Sequence, residues 1–153
     1  MFLTIDTIFY IIKVVVYMEN IFMHIDVNNA FLSWTAVDML KHGYKTDIRT
    51  IEAVIGGDES KRHGIVLAKS MLAKSRGVKT AETLRDARRK CKDLKIYPAD
   101  YNLYVKMSRS FFKLIYKYTP DVEPLSIDEC FIDYTKVRSL YGDPVKFAYI
   151  EIE

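Results

Sequence analysis

Apolar positions recur along this chain with two alternating periods. Residues 21–26, IFMHID, read as a short buried strand ending in an acid. From Ala30 to His42 the spacing becomes helical, with Phe31, Trp34, Val37, Met39 and Leu40 as its apolar positions. Asn28 or Asn29 is placed to cap this helix and Gly43 to end it. Thr50–Ile55 and Gly64–Ala68 are strand candidates joined by GGDESKRH, a polar hairpin loop. A short helix is expected after Ser70, ended at Gly77. A basic amphipathic helix is expected over Thr80–Cys91, with Ala81, Leu84, Ala87 and Cys91 on its apolar side.

Lys95–Tyr97 reads as a strand stopped by Pro98. Asp100 is an N-cap candidate for a long helix, about 101–118, striped by Tyr104, Met107, Phe111, Leu114, Ile115 and Tyr118. These aromatics keep the helix period, which favours core over base-stacking roles. Val122–Leu125 and Cys130–Tyr134 flank SIDE as a β-hairpin, and Gly142-Asp143-Pro144 opens a last helix. The order is β-α, then β-β-α-α, then β-α-β-β-α. With the middle block set aside, the frame is β-α-β-β-α, an α+β sheet with helices on one face. A ferredoxin-like β-α-β-β-α-β needs one more strand, so the domain reads as unfinished.

The first residues differ from the rest. IFYIIKVVVY, residues 8–17, is an apolar run broken only by Lys13. It falls short of the ~20 residues of a membrane span. It also lacks the basic flank and small-residue site of a signal peptide. A dispensable or non-native extension over residues 1–19, an added strand or packing segment, and a membrane anchor over 1–17 all remain open, and Met18 is an alternative start.

Composition places the chain among globular proteins. Its 153 residues are 50% hydrophobic and 28% charged, enough for one domain or a domain and part of another. The two cysteines, Cys91 and Cys130, form neither a CxxC pair nor a disulfide framework, as in a reduced, cytoplasmic setting. Net charge is +3, yet Lys61–Lys95 holds twelve Lys/Arg against three acids. Such a block suits a polyanion, either nucleic acid or a triphosphate, although a solvated helix face would look the same.

Residues 124–134, PLSIDECFIDY, set Asp128 and Glu129 side by side in an otherwise apolar run. Buried without partners, such charges cost several kcal/mol. Strand alternation breaks at a hairpin apex, so both acids can reach one side. If the first strand lies alongside, Asp26 joins them. Three converging carboxylates repel unless cations intervene, and hard oxygen ligands favour Mg²⁺. Two such ions about 4 Å apart serve in-line phosphoryl chemistry. Acids facing water at a turn are the plain alternative. Asp133 alternates away from Asp128 and reads as structural.

HIDVNNAF (24–31), IGGDESKRHGIVLAKSMLAKSRGVKTAET (55–83) and EPLSIDECFIDY (123–134) together resemble the signature blocks of Y-family translesion DNA polymerases, the DNA polymerase IV/UmuC-like group. The resemblance runs in order from about Ile21 to Tyr149. It implies a ferredoxin-like palm over 20–32 plus 95–153 and inserted fingers over 33–94, with thumb and little-finger domains absent. It implies metal-binding aspartates at Asp26 and Asp128, a catalytic glutamate at Glu129 and a metal-binding carbonyl at Val27. Phe31 matches the aromatic steric gate against a ribose 2′-OH, although a core role on the helix fits the pattern equally. In the triphosphate-binding segment Met71 and Lys74 stand where the family usually has tyrosine and arginine. Lys74 keeps a charge without bidentate geometry, and Lys69 and Arg76 are candidates to compensate.

The resemblance further implies two Mg²⁺ ions, replaceable by Mn²⁺, and primer-template DNA and deoxynucleoside triphosphates as partners. A sliding clamp would be a partner of a full-length form. The family's last palm strand is missing, so the chain reads as an N-terminal fragment. Three functions compete: an error-prone DNA polymerase, a catalytically silent nucleotide- or DNA-binding fragment, and a membrane-tethered regulator.

Overall fold

The computed structural model describes residues 2–6, 10–17, 19–57 and 64–150. The elements in chain order are β1 (Phe2–Asp6), β2 (Tyr10–Tyr17), β3 (Asn20–Val27), α1 (Ala30–Lys41), β4 (Ala53–Gly56), β5 (Val66–Lys69), α2 (Met71–Ser75), α3 (Leu84–Lys90), β6 (Lys95–Pro98), α4 (Tyr101–Ile115), β7 (Val122–Pro124), β8 (Glu129–Asp133), α5 (Arg138–Tyr141) and α6 (Pro144–Ile150). They form two compact units, one of residues 1–28 and 105–153, the other of residues 29–104. The mixed α+β class expected from the sequence is the one observed.

The first unit is built on a five-stranded sheet of order β1-β2-β3-β8-β7. Every neighbouring pair is antiparallel. Strand β3 alternates as a half-buried strand should: Ile21, Met23, Ile25 and Val27 are buried, while Phe22, His24 and Asp26 take the other face. Strand β8 matches it with buried Cys130 and Ile132. Both ends of the β3–β8 pair are tied, by Tyr134 N–H donating to the Ile21 carbonyl at 2.8 Å and Val27 N–H to the Asp128 carbonyl at 2.9 Å. Beyond β8, Phe147 sits among Tyr118, Tyr134 and Tyr141, with ring centroids 5.0–5.3 Å away. Asp143 caps α6, accepting from Val145 and Lys146 N–H. Of the open readings for the first residues, the structure matches the added strand: β2 pairs with β3 along its whole length.

The second unit holds a three-stranded sheet, β5-β4-β6, with β4 antiparallel to β5 and parallel to β6. Residues 95–97 are expected in the palm frame. The structure instead pairs Lys95–Pro98 with Ala53–Gly56, and the β-α-β-β-α frame of the first unit begins at β3. Val54, Val66, Ala73, Val78, Leu84, Ala87, Cys91 and Leu94 form its core, with Ile96 against them. At Gly56 an added Cβ would stand 2.8 Å from a Leu84 methyl, so this strand passes the helix too closely for a side chain.

Three local expectations are corrected. The helix expected from Thr80 starts at Leu84, because Thr83 caps it by accepting from Asp86 N–H at 3.1 Å. Ala81, with φ of 67°, lies exposed ahead of it rather than on its apolar side. Asn29 does not cap α1 with its side chain: it sits in the left-handed region and donates from Nδ2 to the Lys69 carbonyl at 2.9 Å. On α1 burial wraps around Ala30 and Leu32–Ala36, so of the expected stripe Trp34 is buried, Phe31, Val37 and Met39 are half-buried and Leu40 is exposed. Asp100 caps α4 as expected, accepting from Leu103 N–H at 3.0 Å. The polar part of the β4–β5 loop, residues 58–63, lies outside the described residues, as do 151–153.

Candidate functional site

The polar face of β3 and β8 carries the candidate chemistry. In this register Asp26 stands directly opposite Glu129, and His24 opposite Phe131. Direct cross-strand partners share a face, so Asp26, His24, Glu129 and Phe131 project together. Beneath them, on the other face, lie Ile25 and Cys130, each wholly buried. The alternation that fills the core therefore also presents the two carboxylates.

Glu129 is the first residue of β8 rather than part of a hairpin apex. Its carboxylate Oε2 lies 3.2 Å from His24 Nε2, and the two side chains are 32% and 17% exposed. The His24 ring also packs on Phe131, with centroids 4.7 Å apart. Asp128 stays in the loop, where Ser126 Oγ donates to its Oδ1 at 2.6 Å and its own N–H reaches back to Ser126 Oγ at 3.3 Å. The loop closes through Leu125 and Ser126 N–H groups on the Glu129 carbonyl. Asp133 shares the face of Glu129 at the far end of β8, where it accepts from Thr135 N–H at 3.0 Å, a local structural task.

The expected convergence of three carboxylates is met only in part. Asp26 and Glu129 are juxtaposed, and Asp128 adjoins through the backbone link to Val27. Among the described residues, however, no three His, Cys, Asp or Glu side chains are disposed to hold a metal ion. Glu129 is turned to His24 and Asp128 to Ser126. The donor set is otherwise suited to a hard cation, since carboxylate and carbonyl oxygens dominate it.

Neither cysteine is poised for chemistry. Burial pushes the Cys130 thiol up to about 12. Burial, followed by its hydrogen bond to Glu52, also raises that of Cys91.

The remaining candidates belong to the second unit. Phe31, in the first turn of α1, stacks on Tyr104 with centroids 4.5 Å apart and planes 12° from parallel. Thr35 Oγ1 lies 3.1 Å from the wholly buried Tyr104 hydroxyl and 2.7 Å from the Phe31 carbonyl, so the ring rests on a fixed support. Met71 and Lys74 are exposed on α2, three residues apart on one face. Lys69 Nζ donates to Thr80 Oγ1 at 2.6 Å. Arg76 is held by Glu52 at 2.6 Å, and that guanidinium keeps the Glu52 carboxyl below its usual range. Arg76 is therefore already paired, which limits it as a substitute phosphate ligand.

His24 and Ser126, for which the sequence suggests no role, hold the two carboxylates. The signal for His24 was its place two residues before Asp26, on the same strand face. The signal for Ser126 was the Ser-x-Asp spacing of a side-chain-closed turn. Tyr104 was read as core, which it is, but its support of Phe31 had no sequence signal.

Residues 25–150 match the model of the IMS family, impB/mucB/samB. The chain belongs to the impB/mucB/samB family. Its Y-family assignment rests on this match. A DNA polymerase IV of Clostridium acetobutylicum is 49% identical over 134 residues, covering 87% of this chain and 33% of the relative. A DNA polymerase IV of Acetivibrio thermocellus is 37% identical, covering 86% of this chain and 31% of the relative. Among solved structures, DinB from Sulfolobus solfataricus superposes with a TM-score of 0.70 at 20% identity, over 84% of this chain and 36% of that one. A Y-family DNA polymerase chimera gives 0.69 at 21% identity. At that identity the likeness concerns the fold. This impB/mucB/samB chain spans about a third of the length of the curated relatives it matches. No helix among its described residues is long and apolar enough to cross a membrane.

Proposed function

We propose that this chain supplies the palm and fingers of an error-prone, DNA-directed DNA polymerase that adds deoxynucleotides to a primer 3′-OH during translesion synthesis. The observation that carries the reading is the Asp26–Glu129 cross-strand pair with Asp128 beside it, within the region matched to the family. The first unit is then the palm and the second the fingers. The division of the chain into units of residues 1–28 with 105–153 and of residues 29–104 supports this reading.

Asp26, Asp128, Glu129 and the Val27 carbonyl would hold two Mg²⁺ ions, or Mn²⁺ in their place. Bound there, the ions would supply activation of the 3′-OH and neutralisation of charge on the departing pyrophosphate. The chain's own task is positioning. His24 holds the Glu129 carboxylate, and Ser126 holds Asp128 at the loop. Both carboxylates must exchange or share these bonds to bind a cation, so His24 and Ser126 tune the cost of loading. Phe31, braced on Tyr104, presents a rigid ring suited to excluding a 2′-OH. Lys74 offers a point charge to the triphosphate, and Met71 offers apolar contact only. Primer-template DNA, deoxynucleoside triphosphates, a sliding clamp for a longer form and a cytoplasmic setting belong to the same proposal.

The engagement of Glu129 by His24 and Asp128 by Ser126 favours one second reading, a nucleotide- or DNA-binding chain without turnover. Primer extension with Mg²⁺ and then Mn²⁺, beside Asp128→Ala, separates the two. Metal-dependent extension lost in the variant supports the polymerase. Salt-sensitive DNA binding with no extended product from a folded chain supports the binder. Extension that survives Asp128→Ala removes the carboxylate assignment.

A further inference from the structure

Strand β3 has β8 on one side and β2 on the other. Ile21 and Val27 spend their backbone bonds on Tyr134 and Asp128, toward β8. Antiparallel bonding alternates, so Phe22, His24 and Asp26 turn their N–H and C=O groups toward β2. Their partners there are Val15, Lys13 and Ile11.

The topology gives this second edge a meaning. From β3 the chain reaches β7 through α4, and β7 lies beyond β8, parallel to β3. A matching crossover from β8 through α6 would deliver a strand to the opposite side of β3, parallel to β8. Among the described residues no strand follows α6. Yet the slot is filled: β2 is antiparallel to β3, hence parallel to β8, and α6 lies against it. Position, direction and the neighbouring helix all agree with those of a closing strand.

We infer that residues 10–17 stand in for the strand that would close the β-α-β-β-α frame, making this edge of β3 an acceptor site for one extended segment running parallel to β8. An open edge is a row of unpaired backbone groups and a template for aggregation, and β2 protects it in cis. A strand continuing from α6 competes for the same groups, because Phe22, His24 and Asp26 bond one partner at a time.

Amide hydrogen exchange tests this. In the 153-residue chain, the amides of Phe22, His24 and Asp26 are protected on the order of 100-fold or more, as those of Met23, Ile25 and Val27 are. Exchange of the first three as free amides overturns the inference. The chain is then extended past Glu153 with the residues that follow the matched region in the 49%-identical relative. Phe22, His24 and Asp26 should stay protected while Ile11, Lys13 and Val15 lose their protection. Unchanged protection of those three overturns the competition. Lys13→Pro, which deletes an N–H facing His24, guards against a folding artefact. It should destabilise the 153-residue chain and leave the extended one unaffected, whereas equal destabilisation of both overturns the proposal.

Discussion

In the first unit, β3 alternates buried Ile21, Met23, Ile25 and Val27 with half-exposed His24 and Asp26. In the second unit, all four residues of β4 are buried. A strand with one wet face can carry chemistry without disturbing its core, and β3 places the candidate Asp26 on such a face. A central strand flanked by one parallel and one antiparallel neighbour and covered on both faces has no face to spare. The second unit accordingly keeps its candidate residues on α1 and α2, as Phe31, Met71 and Lys74. Where the sheet has a free face, the candidate residues lie in the strand register, and elsewhere they lie on helices.

The sharpest way to break this contrast is on β3 itself. Ile25→Ala should cost about 2–5 kcal/mol by urea unfolding, since it empties a wholly buried site. In the second unit the corresponding probe is Gly64→Ala. Its Cβ would lie 2.7 Å from the Gly57 carbonyl, and about 1–3 kcal/mol is expected from overpacking. Thr83→Ala, which removes the α3 cap, should cost about 1 kcal/mol with Thr83→Ser close to neutral. His24→Ala, one residue from Ile25 but on the other face, should cost about 1 kcal/mol, less than Ile25→Ala. It should also alter the concentration of Mn²⁺ that half-saturates the proposed site, because it frees Glu129. A cost for His24→Ala equal to that of Ile25→Ala would erase the distinction between the faces. The thiols add a test by pH. Cys130 holds its proton more tightly folded than unfolded, so its contribution is intact below the unfolded value near 9 and lost as pH rises toward about 12. Iodoacetamide at pH 8 should therefore leave Cys130 unmodified until the chain unfolds.

How far each region could be read from sequence follows the same division. The alternation in IFMHID and ECFID is a local signal, so the strands and their faces were legible, whereas Asp26 beside Glu129 was expected only on condition that the two strands pair. The partner of β6 was not, because a parallel pairing with β4 depends on contacts that neither segment encodes alone. The start of α3 was missed because Leu84, Ala87 and Cys91 keep helix period while Thr83 decides the boundary by capping. Around the site, the types of the carboxylates were legible and their present engagements were not. The His24–Glu129 contact joins residues 105 positions apart, and the Ser126 turn competes locally for Asp128.

That separation also sets an order of events as the chain is made. Strands β2 and β3 are adjacent in sequence and close cheaply, and the second unit is one continuous segment that can gather its core from residues 29–104. Strand β8 emerges from the ribosome long afterwards. Until it arrives β3 has its early neighbour alone, and the pairing of Asp26 with Glu129 is among the last steps of folding.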